Sequence, residues 1–187
     1  MGKRVGVLAL QGDFEAHFKS LLRVGAEAVE VRTEQDLASV DGLVIPGGES
    51  TTMLKLLYSE KLFEPIRRFG EQKSIFGTCA GAILLARHVS NPEQESFGLM
   101  DIEVERNAYG RQLDSRIVKL NGEGVDDIEA VFIRAPIIRA TGPGVRVIAR
   151  YQSTAVLAEE GRHMVATFHP ELTADPRIHQ MFLNKLV

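Results

Sequence analysis

Short apolar runs alternate with stretches of helical period through the first half of this 187-residue chain, and that alternation leaves few architectures open. Residues 5–10 form an apolar run that stops at Gln11-Gly12-Asp13, after which Phe14, Phe18, Leu21 and Leu22 recur at helical spacing up to Gly25. Residues 28–31 and 42–45 read as a second and a third strand, the latter ended sharply by Pro46-Gly47-Gly48. Met53, Leu54 and Leu57 mark a helix that Ser50 or Thr51 is placed to cap, and Phe63, Ile66 and Phe69 continue in helical register. Residues 74–77 read as a fourth, buried strand, and residues 80–87 as an Ala/Leu-rich helix. Strands separated by helices return parallel to one another, so the pattern predicts parallel strands with helices on both faces.

Beyond about residue 91 the texture changes. Residues 101–105, 116–120, 130–134, 145–151, 154–159 and 163–168 are strand-like with few helical signals between them. Residues 175–186 close the chain with a helix whose apolar face is Ile178, Met181, Phe182 and Leu186. No repeat, low-complexity tract or linker separates the halves. The expected fold is therefore one three-layer α/β domain over residues 1–187, built on a mixed, mostly parallel sheet with helices on both faces.

The composition, 44% hydrophobic and 25% charged, suits a packed globular core. The net charge of -3 comes from 22 basic and 25 acidic side chains interspersed along the chain, which argues against nucleic acid or an anionic membrane as a partner. No apolar run reaches the ~18 residues of a membrane span, and Met1-Gly2-Lys3-Arg4 leads into the first strand without a signal-peptide cleavage pattern. A cytoplasmic location is the expectation. One cysteine leaves no internal disulfide and no Cys-based metal cluster, so Cys79 is either inert core filling or a working thiol.

Its context favours work. Gly77-Thr78-Cys79-Ala80-Gly81 lies between the fourth strand and the next helix, the arrangement of a nucleophile elbow. Such a turn is tight and strained, and glycines on both flanks remove Cβ atoms that would clash in it. The helix N-terminus beneath the sulfur favours thiolate over thiol. Phe168-His169-Pro170-Glu171 follows the last strand and would lie near the same sheet edge. Proline disfavours helix at His169, so the segment reads as a rigid extended turn whose side chains at 169 and 171 face the same way. Glu171 would then fix the imidazole tautomer while the other ring nitrogen faces the sulfur. A lone His-Pro-Glu is more often a surface turn; joined to the elbow it reads as a base with its orienter. His17, His88, His163 and His179 lack such context and read as surface or core histidines, with no spacing that suggests a metal site.

Pro46-Gly47-Gly48-Glu49-Ser50 leaves the third strand and enters a helix, so the amides of Gly47 and Gly48, with that of Ala80 after the nucleophile, can form a pocket for an oxyanion. The bland alternative is a simple β-α turn. Arg106 and Arg134 suit a carboxylate by their guanidinium geometry, although either can equally be a surface charge. Gln11-Gly12-Asp13 is a helix-capping turn by default and a site loop if the triad is real.

These residues resemble the class I (triad) glutamine amidotransferases, whose domain is of flavodoxin-like type. The general likeness rests on Gly77-Thr78-Cys79-Ala80-Gly81 and the late His-x-Glu pair. A narrower likeness, to the glutaminase subunits of pyridoxal 5'-phosphate synthases, rests on further runs: Leu8-Ala9-Leu10-Gln11-Gly12-Asp13, Pro46-Gly47-Gly48-Glu49-Ser50-Thr51-Thr52, Gly98-Leu99-Met100-Asp101, Arg106-Asn107-Ala108-Tyr109-Gly110-Arg111-Gln112 and Phe132-Ile133-Arg134-Ala135-Pro136. The resemblance implies hydrolysis of L-glutamine to L-glutamate and ammonia, with Cys79 as nucleophile and His169 and Glu171 completing the triad. It implies that Gly47, Gly48, Glu49, Arg106, Ile133 and Arg134 contact glutamine. It further implies that no metal or organic cofactor is needed and that the ammonia passes to a synthase subunit that makes pyridoxal 5'-phosphate. Three competing readings stay open: the glutaminase subunit of a different synthase, such as one serving imidazole glycerol phosphate formation; a stand-alone cysteine hydrolase of related fold; and a noncatalytic module, in which at least one triad position should be lost. All three positions are present.

Overall fold

A computed structural model describes residues 2–108 and 115–187. Residues 109–112 of the run that begins at Arg106 lie outside the described residues. The described elements are β1 (Arg4–Leu8), α1 (Phe14–Arg23), β2 (Glu27–Val31), α2 (Glu34–Ala38), β3 (Gly42–Ile45), α3 (Ser50–Ser59), α4 (Phe63–Gln72), β4 (Ser74–Thr78), α5 (Ala80–Leu85), β5 (Ala86–Ser90) and β6 (Met100–Glu105), followed by β7 (Arg116–Gly122), β8 (Val125–Phe132), β9 (Ile137–Thr141), β10 (Arg146–Tyr151), β11 (Thr154–Glu160), β12 (His163–Ala166) and α6 (Arg177–Asn184).

The large sheet is mixed, in the order β2-β1-β3-β4-β12-β11-β10-β7-β8. Its first half, from β2 to β12, pairs in parallel, and from β12 to β8 every pairing is antiparallel. The divide follows the connections: helices separate the strands of the first half, and short turns join most of those in the second. A second sheet, β5-β6-β9, packs beside the first.

Alternation along the central strands builds a core on each face. Leu43 and Ile45 of β3 and Ile75 of β4 join Met53, Leu57, Phe63, Ile66 and Leu84 of α3, α4 and α5. Val44 and Phe76, one residue out of phase, join Leu21 of α1 and Ile178 and Phe182 of α6 on the opposite face. Each fully buried side chain of this size contributes about 1.5–3 kcal/mol relative to exposure, which is why the sheet carries helices on both sides.

Several local expectations give way to tertiary structure. Helix α5 ends at Leu85 and not at 87, because Ala86 turns extended (φ -62°, ψ 151°) and residues 86–90 pair in parallel with β6. Helix α3 is capped by Glu49, one residue before the expected cap, whose carboxylate accepts from the amides of Thr51 (3.0 Å) and Thr52 (2.7 Å). Strand β8 starts at Val125 and stops before Arg134, which adopts φ 44° in the following turn. Strands β5 and β9 and the short α2 were not expected from the periodicity.

Candidate active site

The register of the sheet brings the two sequence-predicted segments together. Thr78 at the end of β4 pairs with Ala166 at the end of the parallel neighbour β12, and the Cys79 amide donates to the Ala166 carbonyl at 2.9 Å. The residues that follow each strand therefore leave the sheet at one edge, with Cys79 on one and His169 three residues beyond the other. Cys79 is nearly buried, with 7% of its surface exposed, and sits at φ 50°, ψ -104°. A non-glycine residue held there stores about 1–3 kcal/mol of strain, which the surrounding packing must offset. Gly77 and Gly81 make the turn possible: a Cβ at Gly77 would overlap the Gly81 carbonyl, and one at Gly81 the Ile45 carbonyl.

His169 and Glu171 are joined by a different device from the expected extended turn. Residues Pro170–Leu172 form a turn of 3-10 helix with proline at its start, and the His169 amide is pinned to the Val131 carbonyl at 2.8 Å. This folds the carboxylate under the ring, so that His169 Nδ1 and Glu171 Oε1 lie 2.6 Å apart. Nε2 is left for the thiol. Burial pushes the imidazole down, but its hydrogen bonds and charge interactions with Cys79 and Glu171 outweigh burial and raise it to about 10. The ring is thus held as imidazolium at neutral pH, beside the sulfur and over a carboxylate.

The cleft above Cys79 has a volume of about 340 Å³ and is lined by Gln11, Gly48, Glu49, Cys79, Arg106 and Arg134, among others. Gly47 passes so close to the triad that a Cβ there would stand 2.5 Å from His169 Cε1 and 3.3 Å from Cys79 Cβ. The Glu49 amide donates to Gln11 Oε1 at 3.1 Å, so the Gln11 loop does both things the sequence allowed: Asp13 caps α1 and Gln11 lies on the cleft. Desolvation works against the Glu49 charge, yet hydrogen bonds from Thr52 and Thr51 outweigh it and hold the carboxyl at about 2. Arg106 is anchored to the Thr51 hydroxyl at 2.6 Å, with its guanidinium 3.6 Å from Glu49 Oε1. An anion and a cation fixed side by side match the two ends of an amino acid. Ala80 opens α5, where first-turn amides have no partner within the helix. Ile133 is partly exposed, and its carbonyl lies 4.0 Å from Cys79 Sγ. Gln11, Gly48, Glu49, Cys79, Arg106 and Arg134 thus line one cleft, Gly47 and His169 stand against Cys79, and Glu171 is buried behind the imidazole, an arrangement suited to attack by a thiolate on a small amide substrate with proton transfer through His169.

His17 and His179, expected only as surface or core histidines, are core residues that stand behind the cleft. His17 and His179 are both fully buried, and His17 reaches Thr78 Oγ1, His179 Nε2 and Glu171 Oε2. The signal available in sequence was that each lies on the apolar face of an amphipathic helix, where a histidine must be buried and therefore hydrogen-bonded. Burial also lowers the pKa of His179 and of His163 to about 4, and that of His17 well below its usual value. For a group whose folded pKa is depressed in this way, the unfolded chain binds more protons between about pH 6.5 and 4. Stability should therefore fall with pH through that window, by about 3 kcal/mol for each of His163 and His179. Urea melts at pH 7 and pH 4.5 check this, and an unchanged midpoint would contradict it.

Comparison with known proteins gives consistent results. A model of the SNO glutamine amidotransferase family matches residues 7–187. The chain is 60% identical over 191 residues to pyridoxal 5'-phosphate synthase subunit PdxT of Solibacter usitatus, covering 98% of this chain and 100% of that one. The PdxT subunit of Thermus thermophilus is 50% identical over 183 residues, covering 96% of each chain. Among solved structures, one described as a glutamine amidotransferase superposes with a TM-score of 0.91 at 47% identity over 97% of both chains. PurLQS from Thermotoga maritima shares the fold at a TM-score of 0.78 with 19% identity, covering 98% of this chain and 99% of that one.

Proposed function

Since the chain belongs to the SNO glutamine amidotransferase family, we propose that it is the glutaminase subunit of a pyridoxal 5'-phosphate synthase, hydrolysing L-glutamine to L-glutamate and ammonia. The observation that carries the chemistry is the buried His169–Glu171 pair, 2.6 Å apart, next to a strained Cys79 whose flanks tolerate only glycine. What supports the partner is end-to-end likeness to proteins named as subunits of that synthase.

In the proposed reaction the Cys79 thiolate attacks the side-chain carboxamide carbon, forming a C–S bond and an oxyanion. Amides of Gly47, Gly48 and Ala80 stabilise the oxyanion. Collapse breaks the C–N bond as His169 gives its proton to the departing nitrogen, and ammonia leaves. Water then attacks the thioester, losing its proton to His169 and releasing glutamate and the thiolate. Glu171 keeps Nδ1 protonated and offsets the imidazolium charge throughout. Glu49, Arg106, Arg134 and Ile133 hold the substrate's amino-acid end and stem.

Ammonia is useful to an acceptor only while unprotonated, and bulk water at neutral pH would protonate and dilute it. A subunit that delivers it through a shielded path follows, and we place the complex in the cytoplasm, with residues 1–187 acting as one amidotransferase domain. No described helix is long and apolar enough to cross a membrane. The test incubates the chain with glutamine, with and without a pyridoxal phosphate synthase subunit and its pentose and triose phosphates, and records ammonia and pyridoxal phosphate. Ammonia should form, faster with the synthase present, and the vitamer only with both chains. Full turnover that the synthase does not raise, without pyridoxal phosphate, would point to a stand-alone hydrolase.

A further inference from the structure

Behind the triad, on the side away from the cleft, the polar groups continue into the core. Glu171 uses Oε1 for His169, and its second oxygen, Oε2, is buried with no well-aligned hydrogen bond among the described residues. His17 Nε2 lies 3.3 Å from it and 3.0 Å from Thr78 Oγ1. His17 Nδ1 is 2.9 Å from His179 Nε2, and His179 Nδ1 has no partner among the described residues. Phe76 packs edge-on against both rings. A carboxylate, two imidazoles and a hydroxyl are thus buried together, next to the apolar face that holds Leu21 and Phe182.

Only one assignment of ring protons leaves this chain in good order. If His179 donates from Nε2 to His17 Nδ1, then His17 carries its proton on Nε2, donates it to Thr78 Oγ1 and brings the positive end of that N–H bond within 3.3 Å of Glu171 Oε2. His179 is then left with an unpaired lone pair and not an unpaired N–H, and Glu171 Oε2 faces the His17 N–H across 3.3 Å. With the opposite tautomers, a lone pair on His17 would face the carboxylate and His179 would bury an unmade N–H. From this geometry we infer that His17 and His179 are positioning residues for the reaction: they hold a polar N–H 3.3 Å from the second oxygen of Glu171, whose attraction steadies the carboxylate and so aims His169 at Cys79. Thr78, the residue before the nucleophile, ties the same group to the elbow. A helix near each end of the chain, α1 and α6, therefore reports directly on the triad.

The effect on turnover rests on the glutaminase reading; the effect on the thiol does not, and the experiment uses both. His17→Gln keeps an amide donor near the place of Nε2, whereas His17→Leu has none and His17→Asn keeps only the group that faces His179. Each variant is assayed for glutamine hydrolysis with the synthase present, and for the rate at which iodoacetamide alkylates Cys79, the only cysteine, at about pH 6. Rates are expressed per folded molecule. His17→Leu should lower kcat by roughly ten- to thirty-fold with KM little changed, the size usual for losing an outer partner of a reacting group, and should slow alkylation several-fold. His17→Gln should recover most of both. If His17→Leu does not fold, the comparison of His17→Gln with His17→Asn decides, with the former expected to react faster. Equal alkylation rates in donor-keeping and donor-lacking variants overturn the proposal. Absence of glutamine hydrolysis by the wild-type chain overturns the glutaminase reading instead and leaves the alkylation comparison to judge the positioning pair.

Discussion

Cys79→Ala is expected to lower ammonia release from glutamine by about five orders of magnitude or more, leaving only what binding and oxyanion stabilisation achieve without a nucleophile. Alanine retains the Cβ and meets the same backbone strain at φ 50°, so the elbow and its two glycines are undisturbed and the variant should fold. The chain holds no second cysteine to substitute. Ammonia assays on the variant, with circular dichroism to show an unchanged fold, measure this. Residual activity above about 1% of wild type would move the nucleophile elsewhere, since nucleophile losses in such triads are far larger than that.

Glu171→Gln should cost about 10³- to 10⁴-fold in kcat, in line with removal of the carboxylate from a triad. The carboxylate both holds the Nδ1 proton at 2.6 Å and carries the charge that offsets the imidazolium. Burial alone lowers the imidazole; hydrogen bonding and charge from Cys79 and Glu171 are what bring it to about 10. An uncharged amide removes part of that support. A raised folded pKa means the protonated ring persists as pH climbs toward 10, and lowering that pKa brings the loss of protonation to a lower pH. The variant's kcat/KM should therefore begin to fall at a lower pH than the wild type's. A pH profile of both proteins shows it, and coincident alkaline limbs would contradict the role given to Glu171.

The parts of the fold legible in sequence were those with a local signature. Strands β1, β3 and β4 are short apolar runs stopped by a turn or glycine, and their order with intervening helices fixes a parallel half-sheet. Element α2 has only five residues, too few for a period, though Thr33 and Asp36 form a capping box that marks its start. Strands β5 and β9 owe their conformation to pairing with β6, a contact between distant segments that local patterns do not encode. Helix propensity of the Ala/Leu run beyond Leu85 was overridden in the same way.

The site divides along the same line. Cys79 announces itself because an elbow needs its glycines within two residues, and His169 and Glu171 because they are separated by one proline. How those two meet was misjudged: an extended segment would also turn both side chains one way, but the pairing comes from a 3-10 turn. His17 and His179 are 162 residues apart, and only the packing of α1 and α6 on one face of the sheet joins them. No local reading could pair them. What could have been read is that each sits in an apolar stripe, His17 in line with Phe14 and Leu21, and His179 between Ile178 and Phe182.

The proposed catalysis turns on a covalent bond between glutamine's side-chain carbon and one sulfur. Intact-mass measurement after incubation with a glutamine analogue bearing an electrophilic ketone in place of the carboxamide tests this most directly. One adduct per chain, mapped by peptide fragmentation to Cys79 and competed away by glutamine, is the expected result. An adduct on another residue, or none while glutamine is still hydrolysed, would contradict it.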